Sequence, residues 1–147
     1  MHFEDSFSVD APISEVWKFI SSPGEFVRVI PDLQNKEIKD DRNFFVSFKM
    51  GLGMIRGTVN MNFRIEEAEP EKYLKLVGKG NGLQSNADLT IMLNLLQQNS
   101  STLVKWSADL NVVGTVVSVG SRFIEPVTRS KVKEIVEGIK KEFAKKK

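Results

Sequence analysis

A chain of 147 residues with 41% hydrophobic and 27% charged residues is long enough to bury one sizeable core and too apolar to remain disordered. Its net charge of +2 is too small for a nucleic-acid-binding surface, and the lack of cysteine excludes disulfides, thiolate metal sites and cysteine nucleophiles. The start MHFEDSFSVD carries no basic segment followed by an apolar run, and no apolar stretch reaches the ~20 residues of a membrane span, so a single domain over residues 1–147, cytoplasmic and non-integral, is expected.

Phe3, Phe7 and Val9 alternate with polar residues, Asp5 breaking the register, and predict a first strand over residues 2–9. The period then changes. Ile13, Val16, Trp17 and Ile20 fall at helical spacing behind Asp10, a candidate cap, and Pro12, tolerated in a first turn. Ser21-Ser22-Pro23-Gly24 ends that helix, and a second short one over Glu25 to Val29 stops before Pro31.

Strands follow without interruption. Residues 34–40 form a weak polar edge strand, followed by turn residues Asp40 to Asn43. Phe44, Val46, Phe48 and Met50 alternate in the next, which breaks at Gly51-Leu52-Gly53. Residues 55–65 are the clearest strand: Ile55, Val59, Met61, Phe63 and Ile65 share one face, and Arg56, Thr58, Asn60, Asn62 and Arg64 the other. A sheet with one dry and one wet face follows. Residues 73–79 run into Gly78, Gly80 and Gly82; then Ala87, Leu89, Ile91, Leu93 and Leu95 alternate, and a last strand places Val104, Trp106, Ala108, Leu110 and Val112 on one face. Short connections predict consecutive antiparallel hairpins.

Residues 116–147 hold the one long helical pattern, and a mostly antiparallel sheet needs such a helix over its apolar face. The stripe of Val116, Val119, Phe123 and Val127 points roughly 150° away from that of Val132, Ile135, Val136, Ile139 and Phe143 on a straight helix. Pro126 lies between them, so a kink or break is expected at residues 124–127. Residues 128–147 carry eight Lys or Arg against three Glu, a net +5 that leaves −3 for residues 1–127. Lys145, Lys146 and Lys147 read as a solvated helix end complementing the macrodipole, the alternative being contact with an anionic membrane or an acidic partner.

Catalytic chemistry finds few residues. His2 is the only histidine, so neither a Ser-His-Asp arrangement nor a histidine metal site is available. Asp40-Asp41 and Glu66-Glu67 read as solvated turn charges, and Arg122 with Glu125 as a helix-surface ion pair or a polar ligand contact. GLGMIRG at 51–57 and GKGNG at 78–82 lead into or lie within strands, where a dinucleotide fingerprint must open a helix. Both read as devices that let a sheet curl. Phe48, Met50, Met61, Phe63, Leu89, Ile91, Trp106, Leu110 and Phe123 face the interior; by themselves they describe a packed core, which only geometry could turn into a cavity.

The element order β, α, α, six strands, long α resembles the Bet v 1-like, START-related (SRPBCC) helix-grip superfamily, an α+β fold in which a seven-stranded curved antiparallel sheet grips a C-terminal helix. Within it the sequence is similar to the CoxG family of carbon monoxide dehydrogenase subunits. The matching words are DAPISEVW at 10–17, GLGMIRG at 51–57, the GKGNG region at 78–82 and SADLNVVGTVVSVGSRFIEPV at 107–127. The first is shared broadly across the superfamily, and GLGMIRG followed by the VGSRFIE stretch points to CoxG. The resemblance implies a hydrophobic cavity that binds lipid- or quinone-like molecules without a cofactor or metal, and an accessory role to a molybdenum hydroxylase such as carbon monoxide dehydrogenase. The interior-facing residues above, with Val59, would line the site. Phe123, Ile124 and Val127 would close its mouth, and Arg56 and Arg122 would supply polar contacts. CoxG proteins often continue into a linker and an apolar membrane-associating tail; this sequence stops at Lys147, so at most peripheral contact with the inner membrane face is expected. A cyclase or hydrolase of the same superfamily is a further reading, but it needs inward-facing polar groups, and alternation puts Asp88, Thr90, Asp109 and Asn111 on the wet face.

Overall fold

The computed structural model describes residues 1–144, without the side chains of residues 119 and 120. The expectations for Lys145, Lys146 and Lys147 and for the side chain of Val119 lie outside the described residues. Strand β1 (His2–Val9) is followed by α1 (Ile13–Ile20), α2 (Pro23–Phe26) and a 3₁₀ turn (Val27–Val29). Then come β2 (Leu33–Ile38), β3 (Asn43–Leu52), β4 (Ile55–Glu69), β5 (Tyr73–Gly82), β6 (Ser85–Gln98), β7 (Ser101–Gly114) and α3 (Thr115–Ala144). The seven strands form one antiparallel sheet in the order β1-β7-β6-β5-β4-β3-β2. The first strand therefore closes against the last, and the polar β2 is an edge.

Strand faces follow the alternation. In β4, Met61 and Ile65 are buried while Arg56, Thr58, Asn62 and Arg64 are exposed. Asp88, Asp109 and Asn111 are exposed and Thr90 is half-buried. The strands run longer than their hydrophobic patterns, because ladder bonds continue past the last inward side chain: β4 extends to Glu69 through a register shift between Ile65 and Glu67.

Two local expectations are corrected. Pro23 opens α2 instead of ending α1, in keeping with a proline's fit to the first helical position. The first turn of α1 is closed from across the molecule, Ile13 N–H donating to Gln97 Oε1 of β6 at 2.9 Å, and the residue that caps it is Pro12. That bond ties the helix to the sheet.

The glycines of β5 act through close approach. Gly78 and Gly80 pair with Phe63 and Met61 of β4. A Cβ at Gly80 would lie 2.0 Å from Met61 Sδ, and one at Gly78 would lie 2.6 Å from the Phe63 ring. Their missing side chains give the two large β4 residues room over the neighbouring strand. The turn itself is Leu83-Gln84, both at positive φ (55° and 59°), between the paired Gly82 and Ser85. This is the two-residue hairpin geometry normally given to Asn-Gly, with a leucine in its place.

The main core joins Val16 and Phe19 of α1, Val27 and Val29, Val46, Leu74 and Val104 of the sheet, and Ile139 and Phe143 of α3. Buried Thr102 is satisfied by donating to the Ala11 carbonyl at 2.8 Å. A smaller cluster of Leu52, Val116 and Ile124 forms at the other end of α3. The break expected at residues 124–127 is absent, since α3 runs as one continuous helix through Pro126. Pro126 and Arg122 are both exposed, so the carbonyl deprived of its helical donor can be met by water. The two halves of the helix nonetheless have different partners, Val116 and Ile124 in the small cluster and Ile139 and Phe143 in the main one.

At the β1–β7 seam, His2 Nδ1 lies 2.7 Å from Asp109 Oδ1 and Nε2 lies 3.0 Å from Glu4 Oε2. The hydrogen bond to Glu4, and then that to Asp109, raises the imidazole pKa above its ordinary value of 6.5. The contribution to stability is therefore complete below the unfolded-state pKa and is lost as pH rises through the higher folded value. Since this is the only histidine, its NMR titration should show one midpoint above 6.5 that falls in Asp109→Asn. A midpoint at or below 6.5 would show that the seam contacts do not persist in solution.

Candidate functional site

Between the concave face of the sheet and α3 lies a cavity of about 240 Å³, almost wholly apolar in its lining. It is far larger than the water-sized voids that close-packed interiors tolerate. Strand β3 contributes Phe48 and Met50, β4 Val59, Met61 and Phe63, β6 Leu89 and Ile91, β7 Leu110, and α3 Ile124. These nine predicted site residues are brought together because each holds an inward position of its strand or faces the sheet from the helix.

The other five are not part of the lining. Trp106 pairs with Leu93 on the inward face and is half-buried, but it lies away from the cavity. Phe123 and Val127 pack against the small cluster of Leu52, Val116 and Ile124. The Phe123 ring lies so close to Gly53 that a Cβ there would be 2.5 Å from it, and Gly53 also has a φ of +68°. That contact seats the helix on the β3–β4 turn, Gly53-Met54. Arg122 is exposed, its guanidinium 4.9 Å from the Phe123 ring centroid. Its expected partner Glu125 bonds Arg129 instead, at 3.0 Å. Arg56 lies in a second, polar groove of about 670 Å³ between β3, β4 and α3, together with Val127, Asp32, Lys49 and Glu134.

The sequence reading missed Ala87 and Ala108, inward-facing on β6 and β7, and Lys131 on α3, all of which line the cavity. Two small residues inside stripes of large ones were the available signal for empty space. Lys131 lies seven residues after Ile124 and four before Ile135, helical steps that put it on the same face. Its Nζ donates to Asp32 Oδ2 at 2.6 Å and to the Lys49 carbonyl at 3.3 Å, and lies 5.8 Å from the Phe48 ring centroid. The hydrogen bond and charge of Lys131 hold the Asp32 carboxyl below the usual carboxylate range. The remaining polar lining is Asn81, Ser85, Asn86 and Thr128. Ser85 Oγ accepts from the Val116 N–H at 2.9 Å, and the Thr128 hydroxyl donates to the Ile124 carbonyl at 2.6 Å. No group of three or more metal-ligating side chains occurs among the described residues, and no helix among them is long and apolar enough to cross a membrane.

A sheet curled around a long C-terminal helix, with an apolar space between them, defines a helix-grip protein of the START type. The same fold is found in a START superfamily protein from Mycobacterium smegmatis (TM-score 0.75, 9% identity, 99% of each chain covered). It recurs in a conserved protein from Geobacillus kaustophilus (TM-score 0.88, 18% identity, 99% of this chain and 96% of that one). The ZhuI aromatase/cyclase from Streptomyces sp. R1128 is also similar (TM-score 0.73, 11% identity, 98% and 93% covered). No curated protein matches the sequence. The chain belongs to the CoxG family of carbon monoxide dehydrogenase subunits, which it matches over residues 6–144.

Proposed function

We propose that this CoxG-family protein is a non-enzymatic accessory protein that binds a hydrophobic, lipid- or quinone-like molecule between its sheet and α3. The observation that carries the reading is the apolar cavity itself, left open where the same sheet is otherwise packed against α1 and the end of α3. Pockets of this kind bury most of an apolar ligand and orient it with few polar groups. Membership of the family supports an accessory role. Among the described residues the cavity lining contains no carboxylate and no imidazole, so the acid-base chemistry of a cyclase or hydrolase lacks its usual groups there. Native mass spectrometry of gently purified protein, followed by solvent extraction, should recover an apolar molecule in stoichiometric amount. Protein that is empty and takes up no lipid or quinone when they are supplied would overturn the reading.

A second role, docking to a molybdenum hydroxylase such as carbon monoxide dehydrogenase, is supported by the family name and by apolar side chains left in solvent. Met54 in the β3–β4 turn is 99% exposed, and Val113 and Val117 flank the junction of β7 and α3 at 57% and 41%. Val116, between them, is buried and unavailable to a partner.

A further inference from the structure

The cavity and the polar groove share two wall residues, Met50 and Lys131. Among the described residues lining the cavity, Lys131 is the one that carries a charge. Its side chain is 17% exposed and the residue is half-buried, and a partly desolvated ammonium favours an anion beside it. Asp32 meets that need from the groove side, but it is itself 60% exposed, so it can turn into water at little cost. An ammonium has three protons to donate; the bonds to Asp32 and to the Lys49 carbonyl use two. Lys49 and Arg56 add two further cations to the groove, against Asp32 and Glu134.

We propose that the ligand is an amphiphile with an anionic head, its tail in the apolar cavity and its head received by the Lys131 ammonium at the boundary with the groove. This rests on the cavity reading above and adds the head-group chemistry to it. A carboxylate or phosphate accepts a charge-assisted bond, roughly twice as strong as that of a neutral acceptor. It also supplies a counter-charge to a partly desolvated ammonium. Asp32 then serves as the partner in the empty state and yields to the incoming anion.

The test is displacement of the neutral fluorophore N-phenylnaphthylamine by a saturated fatty acid, by an alkyl phosphate and by the alcohol of the same chain length. In the wild type at least one anion should bind at least about tenfold tighter than the alcohol, a difference of about 1.4 kcal/mol. Whether acid or phosphate binds tighter distinguishes a free fatty acid from a phosphorylated lipid. The gap should close in Lys131→Met and persist in Lys131→Arg, with thermal melts confirming that both fold. Equal affinity for anions and alcohol in the wild type would overturn the head-group assignment and leave the cavity reading standing. A gap that survives in Lys131→Met would place the head elsewhere. If the fluorophore binds but neither anion displaces it, the head-group assignment alone falls. If neither the fluorophore, the three compounds nor a quinone binds, the cavity reading falls together with this one.

Discussion

Replacing Ala108 by phenylalanine is expected to abolish the binding of apolar ligands while leaving the fold intact. Ala108 lies in β7 opposite Ile91 on one side and Phe3 on the other, is 7% exposed, and lines the cavity. A larger ring at a fully packed position forces side chains off their rotamers and is destabilising. At Ala108 the added atoms enter space that is already empty, and they gain dispersion contacts that the cavity wall lacks. Affinity for an apolar probe should fall at least about a hundredfold, or about 2.7 kcal/mol, and the melting temperature should hold or rise. Ala108→Leu, which fills less of the space, should give a smaller loss. Titration with the probe and a thermal melt on each variant check both halves of the expectation. If the phenylalanine variant binds as tightly as wild type, the ligand does not occupy this cavity. Loss of binding accompanied by loss of folding would show instead that the site cannot take the ring, and Ala108→Leu then carries the test.

The strands were legible because one face is dry and the other wet: Val59, Met61 and Phe63 against Thr58, Asn60 and Asn62 fix both the element and its orientation. The order of elements then pointed to the grip of sheet on helix. The cavity was not legible in the residue pattern itself and was implied only by the family resemblance. Inward-facing residues look alike whether they touch across the core or stop short of one another, and which occurs depends on how far the sheet stands from the helix. At Gly78 and Gly80 small residues did not mean space, since Phe63 and Met61 fill it. At Ala87 and Ala108 they did. Lys131 was passed over because a lysine on a basic helix reads as solvated surface, and its helical register with Ile124 and Ile135 is the cue that contradicts this. Pro126 does not break α3. A proline costs a helix most where its orphaned carbonyl is buried, and here the neighbouring surface is open to water.

Phe143→Ala is expected to be the most destabilising of these single substitutions. Phe143 is 2% exposed in the last turn of α3 and meets Phe19 of α1 edge to face, with ring centroids 5.6 Å apart. Truncating a buried phenylalanine costs about 3–5 kcal/mol, and an aromatic pair of this geometry accounts for about 0.5–1.5 kcal/mol beyond its buried area. Against the total of about 5–15 kcal/mol typical of a domain, that is a large share. The position matters as much as the size. This end of α3 is held against α1 and the 3₁₀ turn by Phe143, by Gly138 beside Val29, where a Cβ would come within 3.1 Å, and by the Glu142–Arg28 ion pair. Loss of Phe143 removes the main apolar contact among these, because ion pairs with an exposed partner contribute little. Phe123→Ala, at a half-buried site in the smaller cluster, should cost clearly less. Urea unfolding of the two variants beside the wild type decides the matter. If Phe123→Ala lowers the midpoint as far as Phe143→Ala does, α3 is held mainly at its cavity end and not through α1, and ligand binding would then have to work against the strongest contact of the helix.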